Sequence, residues 1–122
     1  MANPFVHVVL HTGDLAKSKD FYGSLFGWSL QDFPTPKGTF TLIKVGEGTG
    51  GGMMINPDPG SPPHWLAYVG VDDIEASSAR AVELGGTLVH PVTKIGFLGS
   101  MCVIKDPTGA YLALWQGKGG LW

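Results

Sequence analysis

Residues 5–11, FVHVVLH, alternate between two kinds of position. Val6, Val8 and Leu10 fall on one side of an extended chain, and Phe5, His7, Val9 and His11 on the other. This predicts a strand with one wholly apolar side and one mixed side. The period then changes. Leu15, Phe21, Tyr22, Leu25 and Phe26 share one helix face, which Asp14 can cap and Gly27 can end. The same order of periods returns from residue 64. His64, Leu66, Tyr68 and Gly70 alternate with Trp65, Ala67 and Val69. The helix that follows carries Ile74, Ala81 and Leu84 on its face, Asp72 with Glu75 as a capping box, and Gly85-Gly86 at its end.

Laying Asp14 over Asp73, an offset of 59 residues, places Leu15 on Ile74, Leu25 on Leu84 and Gly27 on Gly86. Without a gap the same offset puts Val45 on Ile104 and TGGGMMIN over TGAYLALW. Such a register predicts an internal duplication. Each half reads strand, helix, strand, strand, strand. The strands fall near 5–11, 28–32, 39–45 and 52–56, and again near 64–71, 87–90, 100–105 and 111–115. The expected organisation is one α+β domain over residues 1–122, with repeats at about 5–56 and 64–115. The apolar strand sides, including Val8, Leu10, Trp65 and Ala67, should pack beneath the helices. The mixed sides should line a cavity or face water, with His11 near an exposed strand end.

Composition narrows the setting. The 19 glycines and 9 prolines lie between the apolar segments, as expected of many short elements joined by turns. A net charge of −2 offers no electrostatic reason for nucleic acid or an anionic membrane as partner. No run approaches the roughly 20 apolar residues of a membrane span. The single cysteine, Cys102, has no internal disulfide partner and reads as a buried, inert thiol. With no legible signal peptide, a cytoplasmic location is expected. GEGTGGGMM lacks the Lys-Ser/Thr and helix of a phosphate loop and reads as a turn beside closely packed strands.

HVVLHTGDLAKSKDFYGSLFGW, HWLAYVGVDDIEASSARAVELGG and CVIKDPTGAYLAL, in that order, resemble the vicinal oxygen chelate superfamily of glyoxalase I, bleomycin-resistance proteins and extradiol dioxygenases. The resemblance implies two tandem βαβββ modules whose curled mixed sheets form a cleft for substrate and, in many members, a divalent metal. It also implies a homodimer.

Carried over by motif, the family's ligand positions fall on the first and last strand of each module. These are His7 and Leu66, seven residues before each helix-opening aspartate, and Ala113, seven after Asp106. Subtracting 59 gives the fourth, Met54. A catalytic divalent site needs about three protein ligands and an open position. One imidazole and a weak thioether fall short of that, so neither a metal ligand set nor a cofactor is expected. His64 shares the face of Leu66 but sits about 6.6 Å along the strand, too far to fill its vertex without a bulge. The leading reading is a small-molecule-binding protein that holds an apolar or aromatic molecule. Its expected contacts are His7, Met54, His64, Tyr68, Trp115 and Phe97, the last in the KIGFLGS loop. Two alternatives stay open. One is a metal-dependent lyase, isomerase or dioxygenase with a rearranged ligand set using His7 and His64; the other is a partner domain with a closed cleft. Trp65 is expected in the helix-side core, Trp28 is undecided, and the Leu121-Trp122 tail is expected on a partner subunit or over the cleft mouth.

Overall fold

A computed structural model describes residues 3–118. The elements run β1 (Phe5–Thr12), α1 (Leu15–Phe26), β2 (Ser29–Thr35), β3 (Gly38–Lys44), β4 (Gly51–Ile55), β5 (His64–Gly70), α2 (Ile74–Glu83), β6 (Thr87–Ile95), β7 (Gly99–Lys105) and β8 (Tyr111–Gly117). The tail Leu121-Trp122 lies outside the described residues. All eight strands join one sheet in the order β2-β3-β4-β1-β5-β8-β7-β6. Each module supplies four neighbouring strands, and the modules meet where β1 pairs antiparallel with β5. Within a module the last strand returns parallel to the first, β4 to β1 and β8 to β5. This is the expected pair of βαβββ units.

Local chemistry explains the helix ends. The Asp14 carboxylate accepts from the Lys17 amide, and Gly27 closes α1 in the left-handed region at φ 66°. At α2 the cap is Asp73, which accepts from Ala76, and not Asp72 with Glu75 as the sequence suggested. Asp73 is the residue that aligns with Asp14.

The gap-free register does not hold throughout. β6 runs to Ile95, five residues past its expected end, and its pairing with β7 slips between Leu88 and His90 and again between His90 and Thr93. Those slips lengthen the second module by two residues. From β3 and β7 onward equivalent positions lie 61 apart, as Gly38–Lys44 and Gly99–Lys105 do. β6 tolerates Pro91 and the bulges because it is an edge strand, as β2 is with Pro34.

The sheet curls until its two ends meet. Phe33 of β2 and Phe97 of the β6–β7 turn lie 5.8 Å apart, ring centre to ring centre. Gly96 there has a φ of 53°, and a Cβ on it would touch the Thr35 side chain at 3.3 Å. The enclosed side is the main core, built from Val9, Leu66, Tyr68, Met101, Ala113 and Trp115 with their neighbours. These are the mixed strand sides, which were expected to line a cavity or meet water. On the outer side, Leu10, Ile43 and Met53 lie beneath α1, and Val71, Cys102 and Leu114 pack with Ile74 of α2. The helices cover that side incompletely: α1 buries no residue, and Val8 and Trp65 are 39 % and 37 % exposed. Both were expected to be core. A curled sheet dries its inside on its own, whereas short helices shield only part of its outside.

Candidate functional site

Among the described residues, two cavities lie inside the curl. One, of about 200 Å3, is lined by His7, Val9, Phe40, Leu42, Tyr68, Leu98 and Trp115. The other, of about 260 Å3, lies toward the opposite mouth, between Met54, Asn56, His90 and Thr93.

At the first cavity, strand pairing does the positioning. His7 is opposite Tyr68 across β1–β5, and Ala113 is beside Tyr68 across β5–β8. The His7 ring meets Trp115 edge-on at 5.6 Å, and Tyr68 tilts against Trp115 at 6.3 Å. Burial lowers the pKa of His7, so its imidazole is neutral near pH 7. Trp115 is buried, and its Nε1 has no hydrogen-bond partner among the described residues. An unmet buried N–H costs about 1–3 kcal/mol.

A polar chain runs inward from this wall. The Tyr68 hydroxyl lies 2.7 Å from Nε2 of His11 and 3.8 Å from the sulfur of Met54. If His11 carries its proton on Nε2, it donates to Tyr68, which can then donate to Met54; in the other tautomer Tyr68 donates to His11. Instead of sitting near an exposed strand end, His11 is 1 % exposed. Burial, then the charges of His64 and His90, hold its pKa down at about 4. Burial likewise pushes the Tyr68 phenol well above its usual range and the Cys102 thiol up to about 11. Cys102 is buried, as expected.

Of the six expected contact residues, His7, Tyr68 and Trp115 converge on one cavity. Met54 borders the other, and His64 packs on His11 at 5.1 Å between ring centres. His64 lies opposite His11, four residues from the partner of His7, or roughly 13 Å along the strand. The rearranged His7–His64 ligand set therefore does not form. Phe97 is 60 % exposed and turned to Phe33, while its neighbour Leu98 lines the cavity. Phe40, Leu42 and Leu98 were missed. Leu42 was legible as an alternate position on its strand, but Leu98 carries no signal outside a glycine-rich turn.

The bulges in β6 also move one ligand position. Ala113 pairs with Tyr68 as Gly52 pairs with Val9, so the counterpart of Ala113 is Gly52, and that of Met54 is Trp115. A Cβ on Gly52 would lie 2.4 Å from the Phe40 ring, which fills that space. The four positions thus hold His7, Leu66, Gly52 and Ala113. No three His, Cys, Asp or Glu side chains among the described residues are grouped to hold a metal ion. This donor set does not fit the family's divalent metal.

A pair of βαβββ modules curled around a small lined cavity defines a class of small-molecule-handling domains. The chain belongs to the glyoxalase/bleomycin resistance protein/dioxygenase superfamily, whose sequence profile matches residues 5–114. It is 40 % identical over 116 residues to CFP32 of Mycobacterium tuberculosis, a protein named for a glyoxylase; the match takes in 91 % of this chain and 44 % of that one. With the anthracycline biosynthesis protein DnrV of Streptomyces peucetius the identity is 30 %, over 88 % of this chain and 44 % of the other. The chain thus spans less than half the length of these relatives. With lactoylglutathione lyase of Neisseria meningitidis it is 31 % identical, over 94 % and 91 % of the two chains. Among solved structures, methylmalonyl-CoA epimerase of Streptomyces coelicolor shares the fold at a TM-score of 0.70 and 12 % identity, covering 100 % and 99 % of the two chains. No helix among the described residues is long and apolar enough to cross a membrane.

Proposed function

We propose that this chain is a cytoplasmic small-molecule-binding protein that works without the family metal. It holds a compact, largely apolar or aromatic molecule against His7, Tyr68 and Trp115. The observation that carries this is the convergence of His7, Tyr68 and Trp115 on one cavity whose wall is otherwise apolar. The ring or alkyl body of the ligand fills the space between Val9, Phe40 and Leu98. His7 adds a directional contact as donor or acceptor, according to tautomer.

The metal-dependent alternative lacks ligands. Leu66, Gly52 and Ala113 offer no donor at three of the four positions, and no carboxylate is present there to act as general base. The test is a thermal-shift screen of small aromatic carbonyl compounds on protein purified without added metal, paired with metal analysis. A hit should raise the melting temperature equally with and without EDTA. Trp115→Ala should weaken its binding strongly, because it removes a ring that walls the cavity. One tightly held equivalent of metal, lost in His7→Ala, would overturn the reading in favour of the metal enzyme.

A further inference from the structure

The two cavities inside the curl are built from matching places in the two modules. Leu98 and Lys37 each stand immediately before the glycine that opens the third strand of a module, Gly99 and Gly38. Trp115 and Met54 are counterparts on the last strands. The cavity at His7 takes Leu98 and Trp115, and the cavity toward the opposite mouth takes Lys37 and Met54. The fold thus accepts an aliphatic side chain at this turn position, so it does not itself require the lysine of the first module.

Charge separates the two ends. Lys37 is exposed at its mouth and forms no ion pair among the described residues. It is the one formally charged side chain in the described lining of that cavity, where Thr39, His90 and Thr93 add polar groups. Burial, and then the charge of Lys37, lower the pKa of His90, with Asp58 opposing them, so this imidazole is neutral near pH 7. Asp58 lies outside the lining, and its Oδ1 accepts from the Gly60 amide. Around the cavity at His7 the described lining carries no formal charge.

The partition between the ends is thin. Phe40 borders both cavities and is fixed, because its ring fills the space over Gly52. Met54 is held only by the Tyr68 hydroxyl, 3.8 Å from its sulfur. A thioether is a weak acceptor, and the unbranched methionine side chain adapts readily to a new neighbour. Neither cavity alone, at about 200 and 260 Å3, reaches the roughly 300 Å3 at which pockets for drug-sized ligands begin. Joined past Met54, they exceed it.

We infer that the two cavities are the ends of one site divided by Met54, and that its ligand is an amphipathic carboxylate. The aromatic or alkyl body lies between His7, Trp115 and Leu98, the chain passes Met54, and the carboxylate meets the Lys37 ammonium. This rests on the reading of the His7 cavity as a ligand site, and adds the charged end that the ligand carries.

The test is isothermal titration calorimetry of the full chain with phenylalkanoic acids of increasing chain length and with their primary amides, which keep the shape and remove the charge. The shortest acids should bind no better than their amides. Once the chain is long enough to reach Lys37, the acid should bind about fivefold tighter than its amide, the value of one partly exposed ion pair. Lys37→Leu, which copies Leu98, should abolish that preference and leave amide binding unchanged, while Lys37→Arg should keep it. Met54→Trp, which copies Trp115, should close the passage and remove the advantage of the long acids. Acids that bind no better than their amides at every length overturn the inference, yet leave the aromatic reading of the His7 cavity standing. A preference that survives Lys37→Leu, or one that survives Met54→Trp, overturns it too. If no acid and no amide binds, both readings fall.

Discussion

His11 shows how a residue's setting decides its chemistry. An imidazole with its pKa held at about 4 binds a proton less readily in the folded chain than in the unfolded one, where it titrates near 6.5. Between those values the unfolded state takes up more protons. Stability is therefore full above about pH 6.5 and falls as the pH drops toward 4, by of order 3 kcal/mol from this residue. His11→Gln keeps a group that can bond to Tyr68 but does not titrate. Urea midpoints measured from pH 7 to pH 4.5 should fall steeply in the wild type and less steeply in the variant. Parallel curves for the two proteins would mean that His11 is not the group responsible.

Among the elements, β4 leaves no room for a side chain at Gly51. A Cβ on Gly51 would lie 2.4 Å from the Val8 carbonyl oxygen, an atom of the paired backbone that has nowhere to move. Gly51→Ala should therefore cost at least about 1–3 kcal/mol, as overpacking does. Gly13, with nothing within 4 Å of its Cβ position, should accept alanine at little cost. β1 offers a second contrast between residues on one strand side. Leu10→Ala empties a buried site and should cost about 2–5 kcal/mol, while Val8→Ala at a 39 % exposed position should cost under about 1 kcal/mol. Equal losses at the two positions, read from denaturant midpoints, would mean that α1 covers Val8 in solution.

For the whole molecule, the arrangement of the metal positions can be tested by refilling them. Leu66→His with Ala113→Glu, beside the native His7, would bring three donors, enough for a divalent ion with an open vertex. Gly52 cannot be refilled without moving Phe40. The double variant should bind zinc or nickel with a rise in melting temperature that EDTA reverses. If it folds yet binds metal no better than the wild type, the first and last strands do not converge as the family resemblance implies.

The elements were legible in the sequence because local chemistry writes them. Alternation marks β1 and β5, and the Asp14 cap and Gly27 mark α1, all within windows of a dozen residues; the pattern's return 59 residues later marks the duplication. His7, Tyr68 and Trp115 could be placed on one side of their strands by counting in twos. Contacts made at long range were not legible. Which side of the sheet would be dry depended on its curling until Phe33 met Phe97, and no local pattern specifies curvature. The two slips in β6 changed the internal register from 59 to 61 and moved a ligand position from Met54 to Gly52. Slips belong to a strand pair and not to either strand alone. His11 was buried and Trp65 left open by what came to lie over them, so local pattern could set the elements while only the tertiary structure could decide exposure.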